Sequence, residues 1–185
     1  KSHGFSNNVI SWTRGVDRDV FYPDYQPTQC SKPLLVCVSR VSKEKNLESF
    51  FDLDYPEATK IMVGDGPMLE TYKQQYPNVH FVGAKRGLEL AHYYQNADCF
   101  VFPSRWDTFG LVMIEAMACG TPVAAYPVQG PTDVIDQGKT GIMDEDLAIA
   151  VEKCLYLDRE QVYSNSMKWS WQNAWDIFKD NLIGK

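Results

Sequence analysis

From Leu34 to Ala125 the chain alternates short apolar runs with amphipathic stretches. Leu34–Val38, Lys60–Val63, Val79–Val82, Cys99–Phe102 and Pro122–Ala125 are apolar nearly throughout, the pattern of strands buried on both faces. Between them, Asn46–Leu53, Met68–Tyr76, Leu88–Asn96 and Leu111–Ala118 carry helical spacing, with Leu90, Ala91, Tyr94 and Ala97 falling on one side of the third. A sixth short strand is predicted at Gly141-Ile142, followed by helices over Asp146–Leu157 and Trp171–Leu182. Fully apolar strands separated by helices at this interval predict an α/β fold, a doubly wound parallel sheet of Rossmann-like type with helices on both faces.

The ends divide the chain further. Residues 1–33 read as a leading segment and loop, since Asp17–Pro33 holds three prolines and no period. Residues 34–169 form the sheet domain, and 170–185 a terminal helix. That helix places Trp171, Trp175, Phe178 and Leu182 at helical spacing. Docking of the stripe on its own domain is the favoured expectation, and packing toward a domain outside this chain is the alternative. Because the chain opens on Lys1 in sequence that already looks structured, it is expected to be a fragment.

Charge narrows the ligands. With 18 Lys and Arg against 24 Asp and Glu, the net charge is -6. A polyanion such as a nucleic acid is excluded as a partner, because its phosphates demand an excess of cations. The same charge gives no support for contact with a membrane surface. Any small anion must be met by local cations or by N–H groups at a helix start. The five cysteines, Cys30, Cys37, Cys99, Cys119 and Cys154, lack C-x-x-C spacing and read as buried free thiols. With no apolar run near the ~20 residues of a membrane span, the expected location is cytoplasmic. His3, His80 and His92 are scattered, and no metal site is expected.

In such a sheet the ligand belongs at the carboxyl ends of the strands. The first strand runs into Ser39-Arg40-Val41-Ser42-Lys43-Glu44-Lys45-Asn46, three cations where a helix begins. The second runs into Gly64-Asp65-Gly66-Pro67, which allows a sharp turn or a close approach. The fourth runs into the most informative stretch, Pro103 to Val123. From Thr108 to Thr132 its only charged residue is Glu115, set in a helix apolar almost all round. A carboxylate there needs a partner, either a structural hydrogen bond or a ligand. Asp107 lies eight positions earlier, roughly 12 Å along a helix axis at ~1.5 Å per residue. Free N–H groups of the helix start would lie between the two acids, an arrangement suited to an elongated ligand with hydroxyls at its ends and a diphosphate in the middle.

The Asp107-to-Glu115 segment resembles the E-x7-E motif of retaining GT-B glycosyltransferases, the large group 1 family that includes mannosyl- and glucosyltransferases. Phe-Gly-Leu-Val-x-x-Glu-Ala-x-Ala-x-Gly-x-Pro-Val, the Arg40/Lys45 element, Gly64-Asp65-Gly66-Pro67 and Gly15-Val16-Asp17 to Phe21-Tyr22-Pro23 occur in the family's order. The resemblance covers nearly the whole chain as the family's C-terminal, donor-binding half. It implies a hexosyltransferase in which Glu115 binds ribose hydroxyls, Asp107 sugar hydroxyls, and Arg40 and Lys45 the diphosphate. The backbone of Thr108, Phe109, Gly110, Leu111 and Val112 would contact sugar and phosphate, Gly64 and Gly66 the donor, and Ala84 and Lys85 the base. No cofactor is implied beyond a nucleotide-diphosphate sugar, with GDP-mannose ranked first and a UDP-hexose second. The first acid is Asp rather than the usual Glu, which shortens its reach by a methylene. The partner implied is an acceptor-binding N-terminal domain outside this chain, so the fragment alone is expected to transfer no sugar. A related epimerase or phosphorylase, and a non-catalytic nucleotide-binding module, are the alternatives.

Overall fold

The computed structural model describes residues 14–25, 32–107 and 109–182. In chain order these contain β1 (Leu34–Val38), α1 (Glu48–Phe51), β2 (Thr59–Val63), α2 (Leu69–Gln75), β3 (Val79–Gly83), α3 (Gly87–Asn96) and β4 (Cys99–Phe102). There follow α4 (Leu111–Ala118), β5 (Val123–Ala125), α5 (Pro131–Val134), β6 (Gly141–Met143), α6 (Leu147–Cys154), α7 (Arg159–Ser166) and α8 (Trp171–Leu182). The six strands pair in parallel in the order β3-β2-β1-β4-β5-β6. Winding begins at β1, runs outward to β3, then returns to β4 on the other side of β1. This is the doubly wound topology predicted from the alternating pattern.

Because successive strand residues face opposite ways, each strand serves two cores. Val36, Phe100, Phe102, Val123 and Ala125 pack with α3, α4 and Val162 of α7. Leu35, Cys37, Cys99, Val101, Ala124 and Ile142 pack with α1, Tyr72 of α2 and α6. Cys37, Cys99, Cys119 and Cys154 are buried free thiols, and Cys30 lies outside the described residues. His80 and His92 are exposed.

Three local expectations are corrected. The predicted helix Asn46–Leu53 begins later, as a 3-10 turn over Lys43–Lys45 ends on Asn46 in the left-handed region (φ 53) before α1 starts. The short α5 and the polar α7 were not foreseen. Helix α7 buries only Val162 and Ser166, so it has no apolar stripe; its signal is Asp158, whose carboxylate caps the N–H groups of Glu160 and Gln161. On α8 it is Ala174 that is buried, whereas Trp171 and Trp175 are each 56% exposed and Phe178 is 38% exposed. Trp171, Trp175 and Phe178 therefore stay largely exposed, and Trp175 and Phe178 lean on each other.

Arg159, the first residue of α7, ties the ends of α3 and α4 together. Its guanidinium donates to the carbonyls of Ala97 and Gln95 and to the Thr121 hydroxyl, and stacks 4.1 Å from the Tyr25 ring. Charged hydrogen bonds to otherwise unpaired groups are worth more than neutral ones. Arg159→Met should therefore lower the unfolding free energy by about 2 kcal/mol or more, measured by urea denaturation.

Candidate functional site

Strands β1 and β4 are neighbours whose connections leave in opposite directions, so a crevice opens above them. Their register pairs Leu35 with Cys99 and Val36 with Phe100, which brings Val38 and Phe102 to the same level at the strand ends. There a cleft of about 410 Å³ is lined by Val38 and Phe102, by Ser39, Arg40 and Lys45 after β1, and by Asp107 and Phe109–Val112 after β4. Arg14, a residue not singled out from the sequence, completes the lining. It is carried there by the leading segment, where Val16 bridges to Ser170 and donates to the Trp169 carbonyl at 3.1 Å. A side chain at Gly15 would collide with the Trp171 backbone, so glycine is required for that contact. Three of the predicted site residues, Arg40, Lys45 and Asp107, thus share one cavity with the predicted backbone of Phe109, Gly110, Leu111 and Val112.

Backbone contacts hold the first loop. Ser39 donates to the Val63 carbonyl at 3.1 Å, Val41 to Asp65 at 2.9 Å, and Met68 to Val41 at 3.1 Å. Gly64 makes this possible: its φ is 149°, and a Cβ there would lie 1.8 Å from the Ser39 carbonyl oxygen. A Cβ on Gly66 would lie 2.4 Å from the Val41 oxygen. The close approach made by Gly64 and Gly66 is therefore to the loop that carries Arg40, and neither residue lines the cleft. Ala84 is exposed after β3, and Lys85 pairs with Glu89, again outside the cleft lining. Thr108 lies outside the described residues.

Two interactions join the loops. The Lys45 ammonium meets Asp107 Oδ2 at 2.8 Å, with both side chains largely sheltered. Asn46 Nδ2 donates to the Pro103 carbonyl at 3.0 Å. Arg40, which also lines the cleft, is exposed. In a chain of net negative charge, Arg14, Arg40 and Lys45 make a local positive field where one is needed.

Helix α4 starts after Gly110, whose φ of 72° is left-handed and which, as glycine, brings no capping side chain of its own. Its N-terminal N–H groups and dipole thus face the cleft as anion-binding elements. The expected 12 Å helical separation of Asp107 and Glu115 is not what forms. Only Leu111 to Glu115 is helical, four steps or roughly 6 Å of rise, and the remainder is loop. Glu115 lies one turn beyond Leu111 and Val112 and is not among the residues that line the cleft. It accepts a hydrogen bond from the Tyr94 hydroxyl at 3.1 Å. Burial raises the Glu115 carboxyl above the ordinary value of 4.5, and the Tyr94 hydrogen bond pulls it back in part. Burial and that carboxylate push the Tyr94 hydroxyl well above 10, so it remains a donor.

Residues 25–153 match the family model described as Glycosyl transferases group 1. The chain belongs to this family. Among the relatives of this group 1 glycosyltransferase chain, a sulfoquinovosyl transferase, SQD2, of Arabidopsis thaliana is 34% identical over 176 residues, which is 84% of the chain and 34% of that protein. A GDP-mannose-dependent alpha-mannosyltransferase of Mycobacterium tuberculosis is 30% identical over 95% of the chain and 50% of that protein. The solved structure of HepE from Anabaena in complex with UDP superposes with a TM-score of 0.76 at 19% identity, covering 91% of the chain and 55% of that structure. The chain thus spans half or less of the length of these two curated relatives, and its sheet is one Rossmann-like half of a GT-B fold.

Two outcomes follow for the site. Folded Glu115 holds its proton more tightly than the unfolded chain does, so stability falls as pH rises through and above 4.5. Glu115→Gln should melt at a higher temperature than wild type at pH 7, the difference closing below pH 4.5; a variant less stable at pH 7 would mark Glu115 as a structural carboxylate. Gly64→Ala should cost about 2 kcal/mol or more in thermal unfolding, since it forces the Ser39 carbonyl aside.

Proposed function

We propose that this chain is the donor-binding half of a retaining hexosyltransferase, with GDP-mannose as its first-ranked donor and a UDP-hexose as the second. The observation that carries the reading is the cleft above β1 and β4, where Arg14, Arg40 and Lys45 share one cavity with the start of α4 and with Asp107. The diphosphate rests on the α4 N-terminus between Arg40 and Lys45. Glu115 receives the ribose hydroxyls and Asp107 the sugar hydroxyls, while the backbone of Thr108 to Val112 follows the sugar and phosphate. Gly64 and Gly66 act through the loop they brace, and Ala84 and Lys85 lie toward the base.

The chemistry asked of these residues is electrostatic. As the bond between the anomeric carbon and the phosphate oxygen breaks, negative charge grows on the departing nucleoside diphosphate, where preorganised cations and N–H dipoles stabilise it most. Lys45 suits a double duty, because its compact ammonium has three donors and can bridge Asp107 and a phosphate. Retention of configuration follows if the acceptor attacks from the face the diphosphate leaves. The acceptor site belongs to the part of the relatives that this chain does not cover, so the chain alone transfers no sugar. The sugar nucleotide enters as a substrate, and the four buried thiols suit a reducing, cytoplasmic compartment. Among the described residues no helix is long and apolar enough to cross a membrane.

Calorimetric titration with GDP, UDP and ADP tests the reading. One nucleotide should bind selectively, and both Glu115→Ala and the double variant Arg40→Ala with Lys45→Ala should weaken it at least about tenfold, the loss of roughly one charged contact. Equal affinity in wild type and both variants would refute the site.

A further inference from the structure

Beyond Asp107, on the side away from Arg40, lies a second and larger cleft of about 780 Å³. It is lined by Arg105, Trp106, Asp107, Val128 and Gln129. Among the described residues, Asp107 alone lines both this cleft and that of the donor. Trp106 is 85% exposed, although the residues before it, Pro103 and Ser104, are buried. Its backbone is held, since the Ser104 hydroxyl donates to the Trp106 carbonyl at 3.3 Å. Arg105 is also held, its guanidinium 3.7 Å from the Tyr126 ring centroid and 3.6 Å from Glu145 Oε2. The indole is thus presented to solvent by a braced loop rather than left there by a loose one.

An exposed indole forgoes the stabilisation of burying its apolar surface, which a ligand with an apolar face can recover. A pyranose is such a ligand: its axial C–H bonds form a flat apolar face that lies on an aromatic ring, and its rim carries hydroxyls that need planar hydrogen-bonding partners. Asp107 and Gln129 supply those partners beside Trp106, and Val128 extends the apolar wall. We infer that Trp106, with Asp107 and Gln129, forms a pyranose-binding subsite adjoining the donor cleft, with the ring stacked on the indole. The inference rests on the donor reading only for its place in the reaction, as a seat for a hexose next to the sugar-side carboxylate. That hexose is either the donor's own sugar or a second one.

Saturation-transfer NMR with methyl α-D-mannopyranoside and methyl α-D-glucopyranoside tests the subsite on the whole chain. Wild type should pass saturation to the axial ring protons of one or both glycosides. Trp106→Ala should reduce that transfer about tenfold and Trp106→Phe much less, as loss of an aromatic face predicts. GDP and UDP titrations of Trp106→Ala should match wild type, because those ligands carry no hexose. Added GDP-mannose or UDP-glucose separates the two sources: displacement of the glycoside assigns the seat to the donor hexose, and an undiminished signal assigns it to a second one. No transfer in wild type, or equal transfer in Trp106→Ala, overturns the subsite and leaves the donor reading standing. A glycoside signal that depends on Trp106 in a chain that binds no nucleotide supports the subsite while sinking the donor reading.

Discussion

Everything at this site depends on a single topological constraint, that two adjacent parallel strands, β1 and β4, send their chains in opposite directions at the same level. A parallel sheet covered on both faces has nowhere to expose chemistry except its ends. Where neighbouring connections diverge, no loop among the described residues covers the strand termini, and Val38 and Phe102 are left at the base of an open crevice. The positive loop after β1 and the helix start after β4 then face each other across it.

The crevice is kept in shape mostly by backbone. The glycines after β2 let that loop press against the loop after β1, so Arg40 springs from a segment held at both Ser39 and Val41. Across the gap, Lys45 and Asp107 form a sheltered ion pair and Asn46 reaches the Pro103 carbonyl. Behind the helix start, the Phe109 ring packs edge-on against Trp169, 5.6 Å between centroids, and Trp169 in turn accepts a hydrogen bond from Val16. The leading segment, the start of α8 and the motif loop are therefore parts of one packed unit, and this is how Arg14 arrives beside Arg40. A chain with net charge -6 can in this way hold three cations around one small volume.

Glu115 shows why the motif is costly to keep. Burial penalises its charge and Tyr94 offers one hydrogen bond, an incomplete compensation that leaves the carboxyl raised. Such a buried carboxyl is a cost to the fold that a neutral side chain of the same shape would not carry.

The strands, their parallel arrangement and the crevice position were legible because burial on both faces writes an apolar run directly into the residues, and alternation with helices implies the winding. The glycine turn after β2, the cation loop after β1 and the lone acid in α4 were legible for similar reasons, as each is a local exception to its surroundings. Other features depend on partners distant in sequence. Helix α7 carries no stripe because it packs through Val162, Ser166 and the reach of Arg159. The outward aromatic face of α8 follows from Ala174 being the residue that fits its contact, a matter of volume that helical spacing does not encode. Arg14 enters the site only through Gly15 lying against Trp171, more than 150 residues away in the chain. Periodicity and composition report which residues avoid water, and those the sequence determined by itself; which buried surfaces meet, and which charges share a cavity as a result, was decided by tertiary packing.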